Sequence, residues 1–450
     1  MTAPAARRAA RIAGTFARGA VRFAGRAAAH WVRGRPSAVA RAAGETLAET
    51  LVRLGPTFVK GGQILATRHD LLPPAAIAPL QRLYDRLPPA PPGTFEAAVA
   101  QLGAEPREAF AEWDPVPVAS ASVASVYRAR LSDGRPVAVK VLRPGVAQLV
   151  RTDLRLLRGA AALAERVPAL RLVPVAPMVE EIAASLERQV DLRREAEANR
   201  RLSRALTHEP RVTLPALVDE LSGASVLTMA FVPAAAPLDG AGAGAALNTV
   251  LRALYRMIFV EGFVHCDLHP GNLRLHPDGR AELLDFGFMA EMPYADRLGF
   301  ARFFYAMSIG DGESCADIAL ETAAATRAGL DRAAFTAEIV RLVDTVAGTT
   351  AREFSVARFV AGLFDAMRRH GVRGTTSFTM AIVALLVLEG LAKDAGVDLD
   401  FQAEARPYLL RASLTPAPRE TAGDERVQEL LREHVDVAVA PAVHHARAAG

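Results

Sequence analysis

Lysine is scarce in this chain of 450 residues, since only three of its 53 basic residues are lysines and the other 50 are arginines. The lysines are Lys60, Lys140 and Lys393. Both residue types serve for solvation, but lysine is a compact point charge and arginine is a wide planar fork. A lysine kept in such an arginine-rich chain therefore indicates a chemical role.

Cysteine is scarce as well, with Cys266 and Cys315 alone. Two cysteines exclude a disulfide framework and a zinc site built from cysteines, and they favour a reducing compartment. The chain is 51% hydrophobic and 23% charged, which excludes an intrinsically disordered protein. Its length is sufficient for a large core divided over two or three units.

Acidic residues are missing from positions 1–44, a leader that carries nine arginines. The rest of the chain has 44 basic and 49 acidic residues, so we predict no nucleic-acid-binding surface there. On a helix, the leader arginines at positions 7, 11, 18, 22, 26 and 33 share one stripe, beside Ile12, Phe16 and Phe23. This pattern predicts an amphipathic helix at an anionic membrane surface, with a solvated Ala/Arg tail as the alternative.

Long hydrophobic runs are also missing. The most apolar run, 378–391, has about ten apolar residues before Glu389, against roughly 20 for a transmembrane helix. We predict a buried helix there and no transmembrane segment. No uninterrupted apolar stretch follows the first basic residues, which disfavours a secretory signal. The expected location is cytoplasmic, with peripheral attachment to the inner face of the membrane through residues 1–44.

Periodicity and turn residues predict helices in the first part of the chain and a β-hairpin from about residue 112. Thr94 is the expected N-cap of a helix after the Pro-rich stretch 84–93. The other predicted elements are strands 117–130 and 136–142, helices 146–167 and 177–206, strands 212–217 and 225–231, a connector at 233–245, helices from 247 onward interrupted by a strand–turn–strand at 272–285, and a helix at 425–436 after a linker at 414–424.

The densest chemical pattern is HCDLHPGN at 265–272, followed by DFG at 285–287. It places Asp267, Asn272 and Asp285 at the spacing used in phosphoryl transfer, where one Asp polarises the acceptor and an Asn and a second Asp hold Mg²⁺. A hairpin turn at 277–279 would bring the two halves together. The alternative is a metal site formed by His265, Asp267 and His269, which would leave the DFG unexplained.

Upstream, Lys140 ends a VAVK stretch on the second strand of the predicted hairpin, as does the lysine that pairs with nucleotide phosphates and a helix Glu in kinase-like folds. The preceding strand has ASASVASV at 119–126, where a protein kinase carries G-x-G-x-x-G. Side chains stand where bare backbone should approach the phosphates. The sequence is therefore not that of an ordinary protein kinase.

These motifs resemble those of the AarF/UbiB atypical kinase-like family, whose mitochondrial members act in coenzyme Q biosynthesis. The resemblance covers roughly residues 45–410 and includes the signature K-x-G-Q in FVKGGQ at 58–63, followed by TRHDLLP at 67–73. The family's E-x-D helix matches Gln189 to Asp191, with Glu195 and Asn199 after it. Gln189 departs from the usual Glu and removes one anion opposite Lys60.

The resemblance implies an α+β, two-lobed protein-kinase-like fold with an N-terminal helical extension over the active site. The expected domains are the basic amphipathic leader at 1–44, the helical extension at 45–110, an N-lobe at 111–235, a C-lobe at 236–413, and a linker with a tail helix at 414–450.

The resemblance also implies ATP and Mg²⁺ as cofactors. The residues expected to take part are Asp267, Lys140 and Glu195 for catalysis, Asn272 and Asp285 for the metal, Ala119, Ser120, Ala121, Ser122, Val123, Ala124, Ala138, Lys140, Met229 and Phe231 for the nucleotide, and Lys60, Gln63, Gln189 and Asp191 for an occluding segment.

The implied function is slow ATP hydrolysis in support of isoprenoid quinone (ubiquinone or menaquinone) biosynthesis or membrane lipid homeostasis. The partners are a quinone precursor or a lipid, and phosphorylation of other proteins is disfavoured. Two alternatives remain at this point. One is a small-molecule phosphotransferase, which would lack K-x-G-Q, and the other is a non-catalytic nucleotide or lipid sensor, which would tolerate loss of the metal ligands.

Overall fold

The computed structural model describes residues 3–32, 36–66, 72–84, 91–103, 105–164, 175–234, 240–348 and 354–414. The predicted tail helix at 425–436, most of the Pro-rich stretch 84–93 and residues 67–71 of the TRHDLLP segment lie outside these ranges. The chain forms two compact units. Unit 1 comprises 1–199 and 215–233, and unit 2 comprises 200–214 and 234–450.

Helices and strands alternate along the chain in the following order. The helices are α1 (Ala3–Val32), α2 (Pro36–Leu54), α3 (Pro56–Ala66), α4 (Pro74–Gln81), α5 (Thr94–Ala100), α6 (Pro106–Ala109), α7 (Val146–Ala164), α8 (Val175–Gln189), α9 (Leu192–Ala205), α10 (Gly240–Tyr255), α11 (Tyr294–Ser308), α12 (Gly312–Glu321), α13 (Arg332–Asp344), α14 (Val356–His370), α15 (Thr376–Asp394) and α16 (Phe401–Leu414). The strands are β1 (Phe110–Trp113), β2 (Ala119–Ser120), β3 (Ala124–Leu131), β4 (Pro136–Leu142), β5 (Val212–Thr213), β6 (Val226–Ala230), β7 (Phe263–His265), β8 (Leu273–Leu275), β9 (Ala281–Leu283), β10 (Met289–Glu291), β11 (Ala325–Thr326) and β12 (Val372–Arg373).

Unit 1 contains an antiparallel sheet in the order β1-β3-β4-β6, with β2 paired to the start of β3. The predicted strand 136–142 is confirmed residue for residue as β4. Strands β3 and β4 bury alternate side chains against helix α5, whose Phe95 stacks on Trp113 and meets Phe110 and Tyr127 edge to face. Such aromatic clusters fix the sheet against its helix because their ring contacts are directional.

The N-terminal helices of unit 1 form a second core around Phe58 of α3. Helix α1 packs on α2, and its Phe16 meets the Phe58 ring edge to face at 6.1 Å. Arg8 of α1 donates to both carboxylate oxygens of Asp153 in α7, at 2.7 and 2.6 Å, and to the carbonyl of Leu54 at 2.8 Å. The described part of the leader is therefore an integral layer of unit 1.

Unit 2 is mainly helical. Its core contains Tyr255 and Phe259, which stack at 5.5 Å, and Phe304, which meets both rings edge to face. Burial raises the pKa of Tyr255, and its hydroxyl donates to the carbonyl of Phe401 at 2.6 Å. Short strands form three small sheets, in the orders β5-β9-β8, β7-β10 and β11-β12.

The apolar run 378–391 lies in α15, a helix of 19 residues. Among the described residues, α15 is the helix whose length and composition would allow it to cross a membrane, but 67% of its apolar window is buried inside the structure. The prediction of a buried helix is therefore confirmed. No transmembrane span is shown.

Several predicted elements differ from the observed ones. Thr94 is not an N-cap: Gly93 has that position with φ 79°, and the Thr94 hydroxyl donates to the carbonyl of Pro91. The single helix predicted at 177–206 is two helices, α8 and α9. The strand predicted at 117–130 is interrupted between β2 and β3, and the strands predicted at 212–217 and 225–231 are shorter.

The prediction of helices from 247 onward missed β7, β10, β11 and β12. These strands have two or three residues each, which is too short for a period-two pattern to appear in the sequence.

Candidate functional site

In unit 1, the strand lysine is paired with a helix glutamate. Lys140 lies on β4 between Val126 of β3 and Leu227 of β6. Its ammonium donates to both carboxylate oxygens of Glu195, at 2.8 and 2.9 Å, and both side chains are buried. The predicted pairing of these residues, 55 positions apart in the chain, is present. A buried ion pair with two hydrogen bonds holds the ammonium at one place on the strand.

The loop that replaces a glycine-rich loop is a tight hairpin between β2 and β3. Ala121 N donates to the carbonyl of Ala124 at 2.8 Å, and the hydroxyls of Ser120 and Ser125 lie 2.9 Å apart across the hairpin. Ser122, Val123 and Ala124 are buried, whereas Ala119, Ser120 and Ala121 are exposed.

Two residues predicted to bind the nucleotide, Met229 and Phe231, lie at the end of β6 and directly after it. Met229 pairs with Ala138 of β4, so these two candidate residues are neighbours in the sheet. Beyond them, Phe231 N donates to the carbonyl of Pro136 at 3.2 Å, and the Arg128 guanidinium lies over the Phe231 ring at 5.0 Å. The sheet therefore keeps the end of this strand in place.

In unit 2, the predicted hairpin brings the HCDLHPGN segment at 265–272 and the DFG segment at 285–287 together. Leu273 of β8 pairs with Leu283 of β9, and Leu284 N donates to the carbonyl of Asn272 at 2.9 Å. The Asn272 side-chain amide donates to the carbonyl of Asp267 at 2.9 Å. Asn272 therefore fixes the backbone at Asp267. Its hydrogen bond with Leu284 also links it to the residue directly before Asp285.

Asp285 has a strained backbone. Its φ of 54° makes it the non-glycine residue with a left-handed conformation among those that the structure describes. Such a conformation costs on the order of 1 kcal/mol and persists where the surroundings impose it, most often at functional sites. One carboxylate oxygen of Asp285 accepts from Gly287 N at 3.1 Å, which orients the side chain.

His265 is fully buried and holds the loop from within. Its Nδ1 accepts from Asp267 N at 3.2 Å, so Nε2 carries the proton and donates to the carbonyl of Leu284 at 3.3 Å. Burial lowers the pKa of His265, which keeps the ring neutral. Its ring meets Phe286 edge to face at 5.8 Å. This imidazole links the two halves of the motif.

The alternative metal site at His265, Asp267 and His269 is not formed. Both nitrogens of His265 are occupied by backbone groups, and Nδ1 of His269 accepts from Gly271 N. In the described parts of the chain, no group of three or more His, Cys, Asp or Glu side chains could hold a metal ion.

Asn272 and Asp285 fit Mg²⁺ in a nucleotide complex. The Asn272 nitrogen donates to Asp267, so its side-chain oxygen is the atom that can act as a ligand. Magnesium prefers hard oxygen ligands and takes one or two protein groups, with water and substrate phosphates completing its shell. An amide oxygen and a carboxylate close in the fold meet this need.

The K-x-G-Q segment lies on α3, which packs against α8, the helix that ends at Gln189. Gln63 is buried and its amide donates to the carbonyl of Leu83 at 3.1 Å. Asp191 accepts from Arg193 at 2.9 and 2.6 Å, and these hydrogen bonds lower the pKa of its carboxyl group. The two segments are thus on neighbouring helices, while Gln63 and Asp191 each have other polar partners.

Gln189, which stands where the family's E-x-D motif has its Glu, has polar contacts of its own. The Gln189 amide is buried and donates to the Ser185 hydroxyl at 3.3 Å. Glu187, one turn before Asp191, pairs with Arg158 at 2.8 Å. Sequence reasoning also missed Arg143, which contacts the loop at 121–123, because no local motif marks a contact 22 residues away.

A strand lysine paired with a helix glutamate in unit 1, and an Asp–Asn–Asp set joined by a hairpin in unit 2, are the features of a kinase-like protein. The family model of the ABC1 atypical kinase-like domain matches residues 82–319, and the chain belongs to this family. This membership confirms the predicted AarF/UbiB resemblance and the kinase-like fold of mixed helix and strand.

Two relatives carry the name "Probable protein kinase UbiB". The one from Marinobacter nauticus is 32% identical and the match covers 81% of this chain and 69% of the relative. The one from Cellvibrio japonicus is 31% identical, with 82% and 69% covered. A solved structure, the complex of Rv3197 with erythromycin from Mycobacterium tuberculosis, matches with 24% identity and a TM-score of 0.46, over 76% of this chain and 92% of that one.

Proposed function

We propose that this protein binds ATP with Mg²⁺ and hydrolyses it slowly, in support of isoprenoid quinone biosynthesis or membrane lipid homeostasis. The observation that carries the proposal is the buried Lys140–Glu195 pair, with both carboxylate oxygens within 2.9 Å of the ammonium. A buried ion pair adds little to stability compared with an apolar pair of the same size. Its presence in a family of kinase-like proteins is best explained by a fixed positive charge for nucleotide phosphates.

The residues of the proposed reaction have separate roles. Lys140 binds the α- and β-phosphates, and Glu195 orients Lys140. Asn272 and Asp285 hold Mg²⁺, which would neutralise the charge that develops on the phosphates. Asp267 accepts a hydrogen bond from the attacking water, with its backbone held by Asn272 and His265. The turn at 119–124 covers the phosphates, and Ala138, Met229 and Phe231 contact the base.

The occluding segment is part of the same proposal. Lys60 and Gln63 on α3, together with Gln189 and Asp191, would fill the place of a protein substrate. The packing of α3 against α8 supports this arrangement. The buried Gln63 side chain supports it further, since its bond to Leu83 ties α3 to the turn that follows α4.

Replacing Lys140 by arginine tests the proposal with the charge retained. A guanidinium is wider than an ammonium and cannot occupy the same point beside Glu195. We expect the KM for MgATP to rise about tenfold, the equivalent of one charged hydrogen bond. Turnover of γ-labelled ATP is the measurement. In the wild type the label should appear as free phosphate and not on added proteins.

Lys393→Arg is the matched control, because Lys393 is largely exposed and pairs with Glu389 at 2.8 Å. Its KM should equal that of the wild type. Equal effects of the two substitutions would remove the proposed role of Lys140. Label on added proteins would contradict the occlusion.

We further propose peripheral binding to an anionic membrane through the leader. Of its arginines, Arg8, Arg22 and Arg26 pair with acids of unit 1. Other charged positions on α1 are exposed, namely Arg7, Arg11 and Arg18. Exposed cations near an anionic surface contribute about 1 kcal/mol each.

The triple variant Arg7→Gln/Arg11→Gln/Arg18→Gln leaves the pairs inside unit 1 intact. The vesicles contain 30–40% anionic lipid, on the order of the surface charge of a cytoplasmic leaflet. We expect binding of the triple variant to these vesicles to fall by about 100-fold or more. Co-sedimentation measures this change, with neutral vesicles as the control. Unchanged binding would assign α1 to the packing of unit 1 alone.

A further inference from the structure

We infer that Arg143 is a positioning residue for the nucleotide, because it holds the turn Ala121–Ala124 in the conformation that faces the phosphates. Its side-chain Nε donates to the carbonyl of Ala121 at 2.9 Å. Its backbone N donates to the carbonyl of Val123, also at 2.9 Å. One residue thus binds two carbonyls of a turn that lies about 20 positions earlier. The inference rests on the proposed binding of ATP.

Arg143 is well placed for this role because it directly follows β4, the strand that carries Lys140. The last residue of β4, Leu142, pairs with Ala124 at the far end of the turn. Val146 N donates to the Arg143 carbonyl as α7 begins, so the backbone at Arg143 is fixed from both sides. The position of the turn is therefore set by the same strand as the position of the Lys140 ammonium.

Electrostatics explains why such a residue is useful here. In a trans peptide, a carbonyl and the N–H of the next residue point in opposite directions. Because the carbonyl of Ala121 points to Arg143, the N–H of Ser122 points to the other side of the turn. Phosphate is attracted to the side of a turn to which an N–H points, and it is repelled by the side to which the carbonyls point.

The absence of glycine makes the orientation more important. A glycine-rich loop can adjust its backbone around the phosphates, but the residues at 119–126 are Ala, Ser and Val. Their turn is already closed by the Ala121–Ala124 hydrogen bond and by the Ser120–Ser125 contact. Arg143 fixes the direction of the peptide group between Ala121 and Ser122, and it places a positive charge beside that group.

The guanidinium of Arg143 is partly buried, which is consistent with a defined position. This burial lowers the pKa of Arg143. The group stays protonated at any physiological pH, because an arginine guanidinium is not deprotonated in proteins. The nearby Tyr127 is buried and neutral, since burial raises its pKa. Arg143 therefore acts as a constant charge and as a hydrogen-bond donor of fixed direction.

The test compares Arg143→Met and Arg143→Lys with Arg135→Met. Arg135 lies in the exposed hairpin turn at the other end of β4 and pairs with Asp133. For Arg143→Met we expect the KM for MgATP to rise about tenfold, with kcat within about twofold of the wild type, as for loss of one charged hydrogen bond. Arg143→Lys should show a smaller rise, and Arg135→Met none.

Hydrogen exchange of the amides at 119–126 provides a second measurement that does not depend on turnover. In Arg143→Met these amides should exchange faster by about tenfold, while amides in the rest of the sheet keep their wild-type rates. A wild type that neither binds nor hydrolyses MgATP would contradict the proposed function. A wild type that does so, with the same KM and exchange in Arg143→Met, would contradict the role of Arg143. A uniform rise in exchange over unit 1 would also contradict it, since that result indicates general destabilisation.

Discussion

Asp285→Asn is expected to reduce Mg²⁺-dependent ATP turnover on the order of 100-fold or more, because under the proposed function it removes an anionic ligand of the metal and with it several kcal/mol of charge stabilisation. The carboxylate of Asp285 is oriented by the Gly287 amide, and Asp285 directly follows Leu284, whose backbone N donates to the carbonyl of Asn272. Asparagine has the same shape but no charge. The measurement is release of phosphate at saturating MgATP.

The substitution should leave the fold intact. Asparagine adopts left-handed backbone conformations more readily than most residues, so the φ of 54° at this position does not oppose it. The matched control is Asp278→Asn, in the exposed turn of the same hairpin, where Asp278 pairs with Arg280. We expect the control to keep wild-type turnover. Turnover that is equal in Asp285→Asn and in the wild type would exclude a catalytic role for the motif.

Arg8→Met is expected to lower the free energy of unfolding of unit 1 by about 3–5 kcal/mol, because removal of one partner leaves a buried charge uncompensated. Asp153 is fully buried, and Arg8 binds both its carboxylate oxygens. Arg8 also binds the carbonyl of Leu54 and lies over the Phe58 ring at 5.8 Å. Loss of this side chain therefore affects three elements together.

Urea unfolding followed by circular dichroism measures the effect, with Arg7→Met as the control for a neighbouring exposed arginine. The double variant Arg8→Met/Asp153→Leu removes the uncompensated charge and should regain most of the lost stability, since apolar replacements of buried ion pairs are often neutral. Equal midpoints for Arg7→Met and Arg8→Met would show that the pair contributes nothing to folding.

The sequence predicted best where a motif and a local element coincide. Strand β4 has strong alternation and a turn before it, so its limits and the place of Lys140 were predictable. The hairpin around Gly279 was predictable for the same reason, because a Pro-Asp-Gly turn lies between two short apolar stretches. Pairing of Lys140 with Glu195 needed the family resemblance, since no local pattern relates two residues 55 positions apart.

Contacts made by helix faces were harder to predict. Periodicity showed that the leader arginines share a stripe, but it does not show what a stripe faces. In the structure, Arg22 and Arg26 of that stripe pair with Glu49, and Ile12 packs against the core around Phe58. The set of leader arginines that is exposed on α1, Arg7, Arg11 and Arg18, is accordingly smaller than the whole stripe.

Lys393 lies outside the motifs that mark Lys60 and Lys140 in the sequence. It is largely exposed, yet its ammonium lies 2.8 Å from Glu389 and 3.2 Å from the hydroxyl of Ser355. Glu389 is buried and accepts from Ala357 N and from the Ser355 hydroxyl at the start of α14. A buried carboxylate at a helix N-terminus is stabilised by the helix dipole, and the lysine adds to this.

The scarcity of lysine has a consequence for covalent chemistry. Acylating and reductively alkylating reagents react with unprotonated amines and leave guanidinium groups untouched, so the three lysines carry the side-chain amines that such reagents could modify. Lys393 is exposed, whereas Lys140 is buried and its ammonium donates to both carboxylate oxygens of Glu195. The amine proposed to bind the nucleotide phosphates is thus shielded by its surroundings and by its ion pair, and mild labelling is expected to modify the surface of this protein without reaching that amine.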